Sequence, residues 1–287
     1  MAAPDPAPAV VRVDVPVDTR APGGATNAYL VDGLLVDPAA RTAALDEAVG
    51  LDEPGAPGRD GDTAVHAITV THTHPDHVGA VAEYADATGA PVFAHADHVD
   101  RFAAAAGVDP DATFHDGDRV GDTPVRAVET PGHAPDHVAF AVDGGDGGNA
   151  ADAPLDLLCG DLAVAEGSVV VGAPDGDLRD YLHSLERVRD GGYDRIHPGH
   201  GPRIDDPETA CQRLIDHRLD RERAVLSAVE AGATDVDAVV DAAYEKDLTG
   251  VADLARATVA AHLEKLVAEG RIGREWAGRT EIDASGE

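Results

Sequence analysis

Hydrophobic positions along the chain fall into short runs separated by turns rich in Gly, Pro and Asp, a pattern typical of a protein with many strands. An alternating run at 10–15 predicts a first strand, and apolar runs at 27–31 and 34–36, joined by Asp32-Gly33, predict an antiparallel hairpin. Helical spacing predicts helices between further strands, so we expect an α/β (α+β) fold in which helices cover sheets. The further strands are predicted at 67–70, 91–94, 124–129, 138–142, 155–159 and 193–196, and the helices at 39–49, 78–88, 97–106 and 177–189.

The pattern becomes helical after Pro207. Helices are predicted at 208–229, 236–244 and 251–268, and 271–276 is expected to begin a hairpin. Three helices followed by a wing predict a winged-helix unit. The sequence therefore predicts a first domain at 1–206, which carries the candidate chemistry, and a helical linker with a winged helix at 207–287. Stretches rich in Gly, Pro and Asp at 52–62 and in Gly and Asp at 143–153 predict loops, the second of them mobile.

Residue types that bind metals recur at the ends of four predicted strands. The densest set lies in Thr71–His77, directly after the strand at 67–70. Side chains at neighbouring strand ends can converge on one point at the edge of a sheet, so we expect a shared site. The candidates form two groups around a bridging carboxylate: His72, His74 and His133 for one metal, Asp76, His77 and His200 for a second, and Asp161 between them.

These donors predict a cofactor of two divalent metal ions. Histidine nitrogen and aspartate oxygen bind zinc at about 2.0–2.2 Å, which makes zinc the expected metal, although the same donors accept manganese or iron. Two such ions hold a hydroxide between them and stabilise the charge that develops on the attacked group, which suits acyl or phosphoryl transfer to water. Asp76 and Asp161 are also the candidates for accepting a proton.

Charge and cysteine content narrow the class of protein. The formal charge of −32 comes from 54 acidic and 22 basic residues, and only Lys246 and Lys265 are lysines. Such a surface is typical of proteins from salt-loving organisms, and it repels nucleic acid at low salt. Cys159 and Cys211 cannot form a disulfide framework and have no metal-finger spacing. We find neither a signal peptide nor a membrane span, so we expect a cytoplasmic protein with no membrane partner.

The segment His72-Thr73-His74-Pro75-Asp76-His77 resembles the HxHxDH signature of the metallo-β-lactamase-fold hydrolases, and His133, Asp161 and His200 follow in that family's order. The resemblance implies a four-layer αββα sandwich with a dinuclear site at one edge of the sheets. Asp161 stands where the zinc β-lactamases have cysteine, which disfavours antibiotic hydrolysis. His74 stands where the redox-active diiron branch has Glu, which disfavours an oxygen or nitric oxide reductase.

Further motifs at 24–31, 130–137, 198–202 and 258–266 resemble the β-lactamase-like protein 2 group, and the similarity extends from about 24 to 276. That group implies metal-dependent hydrolysis and, for some members, cleavage of single-stranded RNA. Residues 201–287 carry 11 basic and 19 acidic residues, a net charge of 11 − 19 = −8. This acidity favours packing, homodimer formation or substrate gating over RNA binding as the role of the winged helix.

Three functions remain open. The first is hydrolysis of a phosphodiester in single-stranded RNA, the second is hydrolysis of a small-molecule ester or thioester of the hydroxyacylglutathione type, and the third is a non-catalytic binding or regulatory protein. Asn27 is a candidate for substrate binding or for bonding to the backbone, and His137 for orienting a substrate or a metal ligand. Five other histidines are expected at the surface: His95, His98, His115, His183 and His262.

Overall fold

The structure is a computed structural model that describes residues 9–21, 23–51, 65–142, 154–244 and 247–277. They form two compact units. The first comprises the described parts of Met1–Glu129, Asp136–Glu166 and Gly191–Pro207, and the second those of Thr130–Pro135, Gly167–Asp190 and Glu208–Glu287. The predicted loops at 52–62 and 143–153 lie outside the described residues, and the domain division at 206 stays a prediction.

The first sheet of the first unit contains four strands in chain order. β1 and β2 pair antiparallel, β2 and β3 form the predicted hairpin, and β3 and β4 are parallel. Asp32 and Gly33 have φ values of 45° and 83°, the left-handed pair that a tight two-residue hairpin turn requires. The strands are β1 (Val11–Pro16), β2 (Ala25–Val31), β3 (Leu34–Val36) and β4 (Ala67–Thr69).

A small parallel sheet joins β5 (Phe93–His95) to β6 (Ala112–Phe114). The hydrophobic pattern does not predict β6, because this strand is only three residues long and its first two residues are exposed. The second large sheet has the strand order β10-β9-β8-β7, with β9 and β10 parallel and the other pairs antiparallel. Its strands are β7 (Val125–Glu129), β8 (Val138–Val142), β9 (Asp156–Gly160) and β10 (Arg195–Pro198).

The core of the first unit follows from the alternation of side chains along these strands. Leu34 and Val36 of β3 pack with Phe140 and Leu158 of the second large sheet in one cluster of buried residues. Leu35, between them in sequence, belongs instead to the cluster that contains helix residues such as Tyr84 and Phe102. Two sheets with helices on an outer face are the α/β sandwich that the sequence predicts.

The helices of the first unit are α1 (Ala43–Ala48), α2 (Pro75–Val78), α3 (Val81–Thr88) and α4 (Val99–Ala106). Two predicted ranges are wrong. The helix expected at 39–49 begins only after Thr42, whose hydroxyl accepts a hydrogen bond from the backbone N–H of Leu45. The helix expected at 78–88 is interrupted at Gly79, where a Cβ atom would collide with the carbonyl oxygen of Ala39, a tertiary contact that sequence periodicity does not contain.

The second unit is helical and contains α5 (Leu178–Arg189), α6 (Pro207–Glu230), α7 (Val236–Ala243) and α8 (Ala252–Ala268). The three C-terminal helices therefore lie where the sequence predicts them. The expected strand at 271–276 is wrong, because a short 3-10 helix at Arg274–Trp276 buries Trp276 against α7 and α8. The rest of the predicted wing, at 278–287, lies outside the described residues. None of the described helices is long and apolar enough to cross a membrane.

Candidate metal centre

A buried carboxylate shapes the ligand-bearing turn between β4 and α2. Asp37, which directly follows β3, accepts hydrogen bonds from the backbone N–H of Thr71 (2.6 Å) and from its hydroxyl (2.9 Å). Asp37 has a φ of 53°, a left-handed conformation that aspartate tolerates better than most residues. The start of the turn is thus fixed to the neighbouring strand before the first histidine.

His72 and His74 form the first pair of converging nitrogens. The Thr71 hydroxyl donates to Asp37, so its oxygen can accept the Nδ1–H of His72 at 3.1 Å. This arrangement leaves the lone pair of His72 on Nε2, which lies 3.0 Å from Nδ1 of His74. Both nitrogens face one point, as two ligands of one metal must.

His77 and His200 form the second pair. Nδ1 of His77 lies 3.0 Å from the Asp37 carboxylate and Nδ1 of His200 lies 2.9 Å from the carbonyl oxygen of Ala25. Because acceptors occupy both Nδ1 positions, both Nε2 atoms are directed to the same place, where they are 3.3 Å apart. Hydrogen bonds on the remote ring nitrogen are the usual way in which proteins orient metal-binding histidines.

Two carboxylates complete this group. Nε2 of His200 lies 3.6 Å from Oδ2 of Asp76 and 3.5 Å from Oδ2 of Asp161, while Nε2 of His77 lies 3.7 Å from Oδ1 of Asp161. The potential ligand atoms of Asp76, His77 and His200 all lie within 4.8 Å of one another, as do those of His72, His77 and Asp161. Asp161 therefore lies near His72 of the first group and near His77 and His200 of the second.

These separations fit a bound cation. Two ligands on a tetrahedral zinc ion with bond lengths near 2.0–2.1 Å are about 3.3 Å apart. The separations of 3.0 Å between His72 and His74 and 3.3 Å between His77 and His200 are close to that value. The nitrogen and oxygen donors are also those that zinc, manganese and iron accept.

The pKa shifts of His77 and His200 also fit a bound cation. Burial alone would lower the pKa of His77, but the adjacent Asp37 and the further charges of Asp161 and Asp76 raise it to about 9. Burial likewise opposes charge on His200, and its hydrogen bond to Asp161 nevertheless raises its pKa. The protein therefore stabilises positive charge at the point where the second group of ligands meets.

Each acidic ligand has its own positioning contacts. The Thr19 hydroxyl donates to Oδ2 of Asp76 at 2.6 Å, and the Thr26 hydroxyl donates to the backbone carbonyl of Asp76 at 2.6 Å. The backbone N–H of Asp161 donates to Nε2 of His137 at 3.0 Å. His137 is buried, so of its two predicted roles the structure favours orienting a metal ligand over contacting substrate.

Asn27 likewise holds the turn that carries His200. Its amide Nδ2 donates to the carbonyl oxygens of Pro198 and Gly201, both at 2.8 Å, and its backbone N–H donates to Gly199. The Tyr29 hydroxyl also donates to Pro198, at 2.6 Å. Asn27 is buried, and its amide contacts are to these two backbone carbonyls and to the Tyr29 hydroxyl (3.2 Å), so the structure favours bonding within the protein over the substrate contact that the sequence left open.

His133 belongs to the second unit. It lies in the turn after β7, where its Nδ1 is 2.8 Å from the carbonyl oxygen of Val170. That contact assigns the ring hydrogen to Nδ1 and makes Nε2 the nitrogen that can bind a metal. Gly132, with a φ of 123°, allows this turn to approach the backbone of Tyr181 at the start of α5.

Two buried acids that hold the ligand-bearing turn are not predicted from the sequence. Besides Asp37, Asp136 accepts the backbone N–H of Thr73 at 3.0 Å and pairs with Arg101, whose Nε also donates to the Thr73 hydroxyl at 2.9 Å. A lone Asp directly after an apolar strand was the available signal for Asp37. Asp136 stands next to His137 in the motif at 130–137, but its partner Arg101 lies on α4, 35 positions earlier in the chain.

Two histidines that were expected at the surface are buried. His95 is sequestered because its Nε2 lies 2.7 Å from a carboxylate oxygen of Glu129 and its Nδ1 accepts the backbone N–H of Asp97. His262 is buried in α8. Both occupy polar-looking positions in short or weakly amphipathic segments, where periodicity predicts exposure poorly.

The fold and this arrangement of ligands have a counterpart in a known family. Residues 21–200 match the model of the metallo-beta-lactamase superfamily, and the chain belongs to that superfamily. This membership confirms the family and the α/β fold that the sequence predicts.

Individual relatives narrow the comparison. The chain is 30% identical over 172 residues to a beta-lactamase-like protein 2 homolog of Caenorhabditis elegans, covering 58% of this chain and 52% of the relative. It is 30% identical over 221 residues to an atrochrysone carboxyl ACP thioesterase of Aspergillus chevalieri, covering 72% of this chain and 63% of that enzyme. The chain thus spans about half the length of the first of these relatives and less than two thirds of the second. A crystal structure of a metallo-beta-lactamase family protein from Thermus thermophilus superposes with a TM-score of 0.68 and 26% identity, covering 92% of this chain and 95% of that one.

Proposed function

We propose that this protein is a hydrolase that depends on two divalent metal ions, expected to be zinc, and that its substrate is a thioester. The observation that supports the proposal is the convergence of donor atoms from three separate segments of the first unit: His72, His74, Asp76 and His77 from the turn before and within α2, Asp161 after β9, and His200 after β10. When bound, the two ions would activate a water molecule and stabilise negative charge on the attacked group.

In this proposal the chain's own residues have distinct roles. His72 and His74 hold the first metal together with Nε2 of His133, as the order of the family motif implies. Asp76, His77 and His200 hold the second metal. The potential ligand atoms of Asp161, of His72 from the first group and of His77 from the second group all lie within 4.8 Å of one another, a geometry suited to serving both ions. Asp76 and Asp161 are also the carboxylates placed to accept a proton during hydrolysis.

A thioester is favoured over RNA as the substrate for two reasons. A relative that matches over 72% of this chain is named as a thioesterase, so this family scaffold supports attack on a thioester carbonyl. The net charge of −32 opposes the approach of a polyanion unless concentrated salt screens it. A small acyl thioester presents far less negative charge to the protein.

Hydrolysis of a phosphodiester in single-stranded RNA is the second candidate. It is supported by the match to beta-lactamase-like protein 2 homologs and by the motif at 258–266 that resembles the same group. The same dinuclear chemistry stabilises the charge on an attacked phosphorus, so the metal ligands serve either substrate. A non-catalytic role is the third reading, and the complete set of candidate ligands weighs against it.

The test is a direct comparison of substrates on the metal-loaded full chain in high salt. Glutathione and pantetheine thioesters and a single-stranded RNA oligonucleotide would be assayed beside the His74→Ala/Asp76→Ala double variant. We expect thioester turnover that the double variant loses by at least about 100-fold, because it removes one ligand from each metal. His183→Ala, which changes an exposed histidine of α5, is the matched control and should retain activity.

The alternatives give different results in the same assay. Turnover of RNA without turnover of thioesters would establish the second candidate. Wild-type rates no higher than those of the double variant on every substrate would overturn the hydrolase proposal. Metal analysis should give two ions per chain, and a stoichiometry of one would contradict the dinuclear assignment even if hydrolysis were observed.

A further inference from the structure

The second unit buries four ionisable side chains on α6 and α8. Arg218 and Glu222 of α6 are 3% and 4% exposed, and His262 and Lys265 of α8 are 1% and 9% exposed. Arg and Lys are rarely buried to this degree unless they are paired. This cluster stands out further because the chain as a whole has only 22 basic residues.

Two carboxylates near this cluster form ion pairs with two of its cations. Oε2 of Glu222 lies 2.6 Å from Nζ of Lys265, and Oε1 of Glu222 accepts from Arg271. Lys265 also pairs with Glu269 at 2.8 Å, and Arg271 approaches the same Glu269. These contacts balance two cations with two carboxylates.

Two arginines of α6 are left without a negative partner among the described residues. Nη2 of Arg218 donates to the carbonyl oxygen of Val169, its guanidinium lies 5.5 Å from the ring centre of Tyr181, and its buried Nε makes no hydrogen bond. Arg221 donates to the carbonyl oxygen of Ala243 and lies over the ring of Tyr244 at 3.7 Å. Neutral partners do not cancel these charges, so the cluster keeps an excess of two positive charges.

A buried imidazole with unused nitrogens lies on α8, the helix that carries Lys265. Neither Nδ1 nor Nε2 of His262 has a hydrogen-bond partner among the described residues. His262 precedes Lys265 by about one turn of α8, and Arg218 precedes Glu222 by about one turn of α6. Because Lys265 and Glu222 form an ion pair between the two helices, His262 and Arg218 lie on the sides of α8 and α6 that face each other. Burial lowers the pKa of His262 well below 6.5, and the next largest causes are Arg218, Arg221 and Lys265, which agrees with this proximity.

An uncompensated buried guanidinium together with three buried nitrogens that lack partners is a costly arrangement. Buried groups without partners in native proteins commonly mark an ordered water or an ion. A water molecule would accept hydrogen bonds from these nitrogens but would not neutralise the positive charge. An anion would accept the hydrogen bonds and neutralise the charge. Because Arg218 and His262 are almost fully buried, such an anion must be small and enclosed.

We propose that Arg218 and His262 hold a monatomic anion, with chloride as the ordinary occupant, between α6 and α8. Nε of Arg218 and one N–H of His262 donate to the anion, and Arg221 and Lys265 contribute positive potential. The anion completes the charge balance of the helical unit, and this structural role is independent of the hydrolytic site.

The decisive experiment is crystallographic. Crystals of the full chain grown in sodium bromide and measured at the bromine absorption edge should show an anomalous peak within hydrogen-bonding distance of Nε of Arg218 and a ring nitrogen of His262. A map with bromide peaks elsewhere and none at this position would overturn the proposal. So would density at the site that has no anomalous signal, because it would identify a water molecule.

A measurement in solution tests the same site without crystals. The melting temperatures of the wild type and of His262→Met would be compared in sodium chloride and in sodium gluconate at equal concentration. General salt effects act on both proteins alike. We expect chloride relative to gluconate to raise the melting temperature of the wild type by several degrees more than that of His262→Met, while His183→Gln, altered at an exposed position, behaves as the wild type. An equal chloride effect in wild type and His262→Met would overturn the proposal, and if His262→Met does not fold, the bromide map of the wild type decides.

Discussion

The carboxylate of Asp37 lies 3.0 Å from Nδ1 of His77 and 2.6 Å from the backbone nitrogen of Thr71, so a single buried side chain fixes both ends of the ligand-bearing turn. Asp37 binds no metal in the proposed arrangement. It determines which nitrogen of His77 faces the second metal, and it supplies negative charge behind that ring.

We therefore expect Asp37→Asn to weaken binding of the second metal by about 10–100-fold, the usual cost of losing a partner that orients a metal-binding histidine. Titration of metal-free protein against a competing chelator would measure this change. Asp46→Asn is the matched control, because Asp46 is also a buried aspartate of the first unit but bonds to Arg41 and Tyr84. The control should lower the free energy of unfolding by about 1–3 kcal/mol and leave metal affinity intact. Equal losses of metal affinity in both variants would contradict a specific role for Asp37.

The turn that carries His200 provides a second prediction. Asn27→Ala removes both amide hydrogen bonds to Pro198 and Gly201, and Tyr29→Phe removes the hydroxyl contact to Pro198. Each lost hydrogen bond should lower the free energy of unfolding by about 1 kcal/mol, so Asn27→Ala is expected to be the more destabilising change. Metal affinity should fall in the same order, since the loosened turn carries a ligand. A raised KM with unchanged metal affinity in Asn27→Ala would instead show that Asn27 contacts substrate.

Close backbone packing at Gly132 gives a third prediction. A Cβ atom at this position would collide with the backbone of Tyr181, and its φ of 123° is unfavourable for any other residue. Gly132→Ala should therefore lower the free energy of unfolding by at least about 2 kcal/mol, measured by urea denaturation. Gly167→Ala is the control in the same unit, because Gly167 has a φ of 74° with no atom within 4 Å, and it should cost only about 1 kcal/mol. Similar costs for the two variants would rule out the predicted collision.

The buried His262 predicts a loss of stability in mild acid. Its pKa in the folded protein is well below 6.5, because of burial and the charges of Arg218, Arg221, Lys265 and His217. The unfolded chain therefore binds a proton that the folded chain does not, so the contribution of His262 to stability is complete above pH 6.5. It is lost as the pH falls from 6.5 towards the folded pKa, with a slope of at most about 1.4 kcal/mol per pH unit.

Denaturation curves between pH 7 and pH 5 in chloride-free buffer would measure this dependence. His262→Met cannot take up the proton, so its stability should depend less on pH over the same range. An identical slope in wild type and variant would assign the acid sensitivity to other groups. Chloride-free buffer is specified because a neighbouring anion would favour the protonated imidazole.

The convergence of the candidate ligands could be predicted from the sequence, because their positions obey a local rule. His72, Asp161 and His200 each follow an apolar run, and strands that end at the same edge of a sheet bring such residues together without further information. The same rule could not identify Asp37 as the residue that orients His77, because the two are 40 positions apart and meet only through the pairing of β3 with β4.

The misjudged elements have a common physical origin. Helical periodicity continues through Gly79 and Ala80, but the helix is interrupted where the backbone N–H of Ala80 donates to the carbonyl oxygen of Pro38. The sequence pattern predicts that Trp276 belongs to a strand. Its large apolar side chain instead packs against α7 and α8 from a short 3-10 helix. In both cases a tertiary contact overrode a local preference, and no pattern within the segment itself records that contact.

The dependence of His200 on β2 bears on how this protein is made. The carbonyl oxygen of Ala25 and the His200 ring that it orients are 175 positions apart, and Asn27 and Tyr29 reach the same turn over similar separations. Contacts of such long range form late in folding, because a large loop must close before they stabilise the chain. The ribosome must therefore synthesise nearly the whole first unit before the second metal has its ligands. Metal acquisition would then be one of the last steps of maturation, open to control by the metal supply that the newly folded chain encounters.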